Sequence, residues 1–532
     1  MRARPLIPVL AVLALVLAGC GGKTTAPTTG PPALAGGRKL DCGMGAYERV
    51  RGPWAQECEV RASHSEGQKQ EIWLAINPTD ARNVVIGAKD LNPAASGSCV
   101  WNGLFVTHDG GVTWRDVIIG GPYGERTPDS PYYGYACNTD PMGVFTADGT
   151  LQWVVELYNF IGRDGNGPIG KDPTSGRGIV QPGWKLVLAT SHDGGDTFPE
   201  ATVLEYGDGV GALNDYSRIT ANPKTGSAIT VINTYYPGVG ANTALVPALP
   251  VPVPLGGEAC SVLPFRPAER RAPQPAPIRP TVVTGTANPG GINCLGIAAT
   301  AGGTVTLGAV GSPLQGGAFG AWFARSTDDA ASFTDFNAGF PFTPIPSPFT
   351  ESSYRTGTSF EMAYDTTGGP RSGTLYAITA EQTAGNPADG PVPVGDDADI
   401  YVRSSTDDGK TWGAAVRANQ DPPGTHQFMP NLAVARDGSL HAFWMDKAYD
   451  AAHNHTFIDV THGLSLDGGA TWRTERVTNV SWDGELGKHQ EGFPFIGDYT
   501  GVGASGDEVW AAFPDASNGK TTVVAALRSV LR

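Results

Sequence analysis

Along most of this chain, short apolar runs come in pairs, each pair joined by a tight polar turn. Residues 72–76 and 84–88 are two such runs, with Asn77-Pro78-Thr79-Asp80 between them. The same pattern returns around Ala147-Asp148-Gly149, Pro223-Lys224-Thr225-Gly226, Ala301-Gly302-Gly303, Thr366-Thr367-Gly368, Arg436-Asp437-Gly438 and Ala504-Ser505-Gly506. Gly-rich turns between alternating β-formers are hairpin signals, and a pattern repeated along a chain decides its architecture. Seven units of this kind predict an all-β fold. The last unit has only three strands, at 496–504, 508–513 and 521–527. A closed ring of four-stranded sheets then needs a strand from elsewhere, and 47–62 is the segment expected to supply it.

A second pattern lies between these hairpins. Thr107-His108-Asp109-Gly110-Gly111-Val112-Thr113-Trp114 returns as Ser191-His192-Asp193-Gly194-Gly195-Asp196-Thr197-Phe198. It returns again as Ser405-Thr406-Asp407-Asp408-Gly409-Lys410-Thr411-Trp412 and as Ser465-Leu466-Asp467-Gly468-Gly469-Ala470-Thr471-Trp472. A decayed copy runs Ser326-Thr327-Asp328-Asp329-Ala330-Ala331-Ser332-Phe333. A carboxylate can accept bonds from the N–H groups of its own turn, and glycine permits positive φ. The aspartates 109, 193, 328, 407 and 467 and the aromatics Trp114, Phe198, Phe333, Trp412 and Trp472 are therefore read as structural. The widest interval, from 193 to 328, predicts a unit without the motif near 217–236.

These octapeptides resemble the Asp box, or BNR repeat, of the sialidase-like β-propellers. The resemblance implies a single propeller over 42–532. Seven blades are favoured and six, the sialidase number, are the alternative, because the Pro-rich stretch 241–291 reads either as an elaborated blade or as an insertion.

With strands named A to D from the axis outward, the A–B turns and the motif-bearing C–D turns share one face. The long connections gather on the other. They are the B–C loops 90–102, 159–183, 381–397 and 446–456 and the D–A loops 117–138, 334–357 and 474–493. Long loops on a rigid scaffold are where function usually resides. This marks Asp90, Glu156, Asp215, Tyr216, Glu381, His426, Asp446, His489 and Asp515 as candidate binding-face residues. Asp90, Asp446 and Asp515 also fit strand-end caps, because they recur from blade to blade.

The resemblance sets a test of activity. Sialidases grip a carboxylate with three arginines, since a guanidinium offers paired donors to a planar anion. They add an Asp acid/base and a Tyr nucleophile with its Glu. Their early Arg-Ile-Pro motif is missing here. The candidates for such a site are Arg218, Tyr354, Arg355, Glu491, Asp498 and Tyr499. Fold does not carry function with it, so three readings stand: recognition of a glycan or protein ligand on the long-loop face, an exo-α-sialidase-like glycoside hydrolase, and an assembly factor of the envelope.

Composition adds the setting. The chain has 532 residues with 72 Gly and 43 Pro, turn-rich but short of the roughly 25–30% of disordered chains. Its net charge of −15 points away from a nucleic-acid partner. Arg2 and Arg4 precede an apolar run at 6–17, too short to span a membrane. The run ends in Leu17-Ala18-Gly19-Cys20, which resembles the lipobox of bacterial lipoproteins. That implies a signal peptide over 1–20, lipidation at Cys20, a tether over 21–41, and an exported monomer held at the cell envelope by its lipid alone. The other six cysteines suggest disulfides in an exported chain, and neighbours in sequence are the favoured pairs: Cys42–Cys58, Cys99–Cys137 and Cys260–Cys294. No cofactor is expected. Asp396, Asp397 and Asp399 form an acidic loop that could take calcium, although its spacing matches no EF-hand.

Overall fold

The computed structural model describes residues 34–35, 49–51, 54–56, 59–65, 67–91, 100–120, 130–132, 135, 137–159, 183–207, 213–235, 258–265, 281–283, 292–312, 318–349, 351–357, 360–382, 398–421, 424–450, 456–478, 480–489 and 493–531. Seven antiparallel sheets of four principal strands make up the fold. The inner strands A are Lys69–Ile76, Cys137–Phe145, Leu213–Ala221, Ile292–Ala299, Phe360–Tyr364, Gln427–Val434 and Gly501–Ser505. Each packs against the A strand of the next sheet, and that of blade 7 returns to that of blade 1, so the ring is closed. Strands B are Val84–Asp90, Leu151–Asn159, Ala228–Tyr235, Val305–Gly311, Leu375–Gln382, Leu440–Asp446 and Glu508–Asp515. Strands C are Trp101–Thr107, Gly183–Ser191, Glu258–Phe265, Gly320–Ser326, Ala398–Ser405, Asp459–Ser465 and Val523–Leu531. The single helical turn among the described residues is the 3₁₀ turn Gly484–Leu486, capped by Asp483. None of the described residues forms a helix long and apolar enough to cross a membrane.

Strands D of blades 1 to 6 are Thr113–Ile118, Glu200–Gly207, Thr281–Val283, Asn337–Pro341, Val416–Arg417 and Arg473–Arg476. Blade 7 takes its outer strand from the start of the chain: Trp54–Gln56 pairs with Ser529–Leu531, and Val60–Arg61 pairs with Ala525 and Ala526. The expected N-terminal closure is therefore present. Six blades are excluded, because Glu258–Phe265 and Thr281–Val283 complete blade 3 from within the Pro-rich stretch. Leu34–Ala35 adds a short strand outside blade 1.

The octapeptide turns all use one arrangement. In each, the first hydroxyl accepts the N–H four residues on: Gly111, Gly195, Ala330, Gly409 and Gly469, at 2.8–2.9 Å. The Asp Oδ1 accepts the N–H of Thr113, Thr197, Ser332, Thr411 and Thr471, at 2.9–3.0 Å. The decayed copy keeps this geometry without glycine, with Asp329 and Ala330 at φ 59° and 62°. That is a strained conformation for residues with a Cβ. Burial pushes the Asp407 carboxyl up, but the Thr411 N–H and the Thr411 and Ser405 hydroxyls outweigh it and hold it at about 2.

Neighbouring blades are tied through these turns. Asn83, in the A–B turn of blade 1, donates to Thr107 O (3.1 Å) and to Gly194 O of blade 2 (3.0 Å). Asn222 of blade 3 donates to Asp329 of blade 4 (2.8 Å), and Arg371 of blade 5 to Gly438 O of blade 6 (2.9 Å). The aromatics fill the seams: Trp114 meets Trp510 of blade 7 at 6.1 Å, and Trp412 meets Phe323 of blade 4 at 4.6 Å. Asp109→Ala removes the acceptor for the Thr113 N–H and for the Thr107 and Thr113 hydroxyls and is expected to cost about 1–3 kcal/mol, read from urea unfolding. Part of the wild-type advantage should be lost as pH falls below about 3.9, because a carboxyl held low in the folded state contributes only while ionised there.

The disulfide Cys260–Cys294 joins strand C of blade 3 to strand A of blade 4, with Cα atoms 5.9 Å apart. Cys137 is also disulfide-bonded. Cys20, Cys42, Cys58 and Cys99 lie outside the described residues.

Candidate functional site

Strand A carries one recurrent irregularity. Its pairing with strand B slips between Gln70 and Trp73, opposite Val154 and Glu156, between Asp215 and Arg218, between Cys294 and Gly296, and between Phe428 and Asn431. Glu71, Asp140, Tyr216 and Met429 sit at these bulges with φ of 53°, 49°, 65° and 49°. A bulge re-aims a side chain and costs strain. Here it occurs in five blades, four of them with a positive φ, at the long-loop end of the axis.

Charged groups cluster there. Lys89 Nζ, at the end of strand B of blade 1, lies 2.8 Å from Glu71 Oε2 and 3.8 Å from Asp140 Oδ1. Asp140 Oδ2 accepts the Tyr216 N–H at 2.9 Å. Arg355 Nη2 meets Asp498 Oδ2 at 2.7 Å, with its guanidinium over the Phe495 ring at 4.7 Å. Arg355 is half exposed, whereas Glu71, Asp140 and Asp498 are buried.

Burial pushes Glu71 well above the usual carboxylate range; the Asp140 charge adds to this and Lys89 opposes it. Burial also raises Asp140, but Lys89 and hydrogen bonds from Glu71, Thr139 and the Tyr216 N–H outweigh it and hold Asp140 low. The acidities of the pair are thus pushed apart, Glu71 upward and Asp140 downward. Asp498 is raised by burial, against the pull of Arg355 and Lys89. His489, stacked on Phe493 at 4.3 Å, is pushed down to about 3 by burial and by Lys89 and Arg355, and is neutral.

Deeper on the axis, Arg218 is 1% exposed. Its guanidinium donates to Leu295 O (3.1 Å), Ser217 O (3.0 Å) and Glu361 Oε1 (3.0 Å). It lies over the rings of Tyr216, Tyr499 and Trp73 at 4.6, 4.7 and 5.6 Å. Tyr499 is equally buried, and burial raises its hydroxyl well above the usual range. Glu361 is pushed up by burial to about 6, with Arg218 opposing. Arg218 and Tyr499 are therefore packed inside the axis, against a carboxylate the chain itself supplies.

The remaining candidates divide. Tyr354 and Arg355 are neighbours in sequence but part in space. Tyr354 is 1% exposed and packs on Phe428, under Lys447. Asp446 and Asp515 accept the N–H two residues on, from Ala448 and Ser517, at 2.9 Å. Asp90 pairs with buried Lys69 at 2.9 Å. Glu156 accepts Ser217 Oγ at 2.8 Å across a blade boundary, and Glu381 pairs with Arg403 of its own sheet. His426 stacks on Phe349 at 4.2 Å, 3.7 Å from Glu351. Asp215 lies in strand A opposite Asn233. Asp399 is held by Arg417 and Asn419, each at 2.6 Å. Asp396, Asp397 and Glu491 lie outside the described residues. Among the described residues no group of three His, Cys, Asp or Glu is arranged to hold a metal ion.

The sequence reading missed Glu71, Lys89, Glu361 and Phe495. The signal for the three charged ones was a charged residue near the end of an otherwise apolar strand, as in Glu71-Ile72 and Ala88-Lys89.

No family model matches the chain, and no curated protein matches it. Similar solved structures include a protein of unknown function from Dyadobacter fermentans (12% identity, 91% of this chain, 100% of that one, TM-score 0.43). The Hadza microbial sialidase Hz136 matches at 13% identity over 84% of this chain and 76% of that one, TM-score 0.43. An α-L-arabinanase from Penicillium chrysogenum matches at 10% identity over 80% and 98%, TM-score 0.42. At these values the likeness has no bearing on the site.

Proposed function

We propose that the chain is an exported lipoprotein, anchored through Cys20, whose Asp-box propeller recognises a glycan or protein ligand with its long-loop face. The observation that carries this is the Arg218–Glu361 pair. A site that grips a ligand carboxylate needs free guanidinium donors, and the axial arginine spends its own on Glu361 and two carbonyls. What faces outward is Arg355 on Phe495, beside the 42% exposed Phe493 with His489 on its ring. Aromatic faces and a half-exposed cation suit binding.

A glycan array run beside a fluorogenic sialoside assay tests this reading. Binding without turnover is expected, and turnover would overturn it. Arg355→Ala is expected to weaken binding about tenfold or more, the worth of one charge-assisted hydrogen bond. The titration is calorimetric, against the best array ligand; unchanged affinity counts against the site.

Hydrolysis of sialidase type is the second reading. The opposite shifts of Glu71 and Asp140 favour it, since paired carboxyls of unequal acidity suit general acid and base roles.

A further inference from the structure

The segment that closes the ring carries a buried carboxyl for which the described residues supply no ion pair. Glu59 lies between the strand Trp54–Gln56 and the pair Val60–Arg61, both of which bind strand C of blade 7. It is 3% exposed, and its Oε1 accepts no hydrogen bond from the described residues. Among the described residues, the charges that act on it are those of acids from two blades. Asp515 ends strand B of blade 7, and Asp459 opens strand C of blade 6. Asp459 is already satisfied by Arg476 (2.8 Å), Thr478 and Ser481, and Asp515 by Ser517. Arg61, on the closing segment itself, acts on Asp515. No cation among these is left to Glu59.

We propose that Glu59 makes ring closure a proton-dependent latch: the N-terminal segment seats with a neutral Glu59 carboxyl and loosens when that carboxyl ionises. Ionising it in place would set a third negative charge beside Asp515 and Asp459 in a water-poor seam, a cost relieved by letting the segment out. Loosening bares the outer edge of Val523–Leu531, a row of unpaired backbone groups.

The direction of the pH effect follows. Burial, then Asp515 and Asp459, raise Glu59 well above the usual range in the closed ring. In the released segment it titrates at about 4.3. Below that value both forms hold the proton and closure is insensitive to pH. Above it the closed form holds more protons, so closure weakens as pH rises, by about tenfold per unit, until Glu59 ionises in place.

Hydrogen exchange of the full chain at Val523–Leu531, corrected for intrinsic rates and followed from pH 5 to 9, tests the latch. Protection in the wild type is expected to fall by at least tenfold more than in Glu59→Gln, which keeps the side chain's shape without the charge. Parallel pH profiles, or Glu59→Gln less protected than wild type at pH 8, would overturn the proposal. Asp515→Asn removes one repelling charge and is expected to reduce the wild-type loss. If Glu59→Gln does not fold, an unchanged loss in Asp515→Asn overturns the proposal instead.

Discussion

Trp54→Ala is expected to unfasten the propeller, lowering stability by about 3–5 kcal/mol. Trp54 begins the closing strand and is 1% exposed. Its Nε1 donates to Asp437 Oδ2 and Ser439 Oγ of blade 6, both at 3.1 Å. Its ring meets His441 edge-on at 4.5 Å and joins a core running from Tyr376 through Leu440 to Leu527. One residue of the closing strand therefore ties blade 7 to blade 6. Truncation leaves a cavity, two acceptors without their donor, and a strand edge held only by its backbone. Urea unfolding gives the magnitude. A loss below about 1 kcal/mol would mean that closure rests on the strand pairing alone.

Arg218→Ala should be comparably severe, at about 3–5 kcal/mol, because it strands Glu361 in the axis without its cation. The companion experiment separates structure from chemistry. Arg218→Met with Glu361→Gln keeps the volume and removes both charges, and it is expected to recover most of the loss, since buried pairs often trade evenly against apolar or neutral replacements. The single variant should also bind a proton on folding. Glu361 sits at about 6 even with Arg218 beside it, so without that cation its carboxyl rises further and destabilisation grows with pH above the ordinary carboxylate range. Thermal unfolding between pH 5 and 8 reads both effects.

The architecture was legible because it is periodic. Seven hairpin units and five turn motifs are each a weak signal, and their agreement is a strong one. The closing strand could be inferred from a deficit, since the last unit had three strands and a ring cannot end on an open edge. The outer strand of blade 3 was obscured because Thr281–Val283 is three residues long within a proline-dense stretch, and so offers too short a pattern.

The site was only partly legible. The candidates Tyr216, Arg218, Asp498 and Tyr499 were legible as residues, and they lie in or just before inner strands. Orientation was not, because one residue of slip at a bulge changes which side chains face the axis. Glu71 and Lys89 read as ordinary strand ends for that reason. Tyr354 and Arg355 are adjacent in sequence, yet Tyr354 packs on Phe428 while Arg355 reaches Asp498. The recurrence of Asp446 and Asp515 suggested strand-end caps, and each does accept the N–H two residues on.

On the proposed function, the axial arginine serves the fold and the outer Arg355 serves the ligand. The most direct measurement of that division is cleavage of a fluorogenic sialoside by the full chain and by Arg218→Met/Glu361→Gln. The account predicts no turnover from either and a folded double variant that still binds the wild-type ligand. Wild-type turnover that disappears in a fully folded double variant would contradict it.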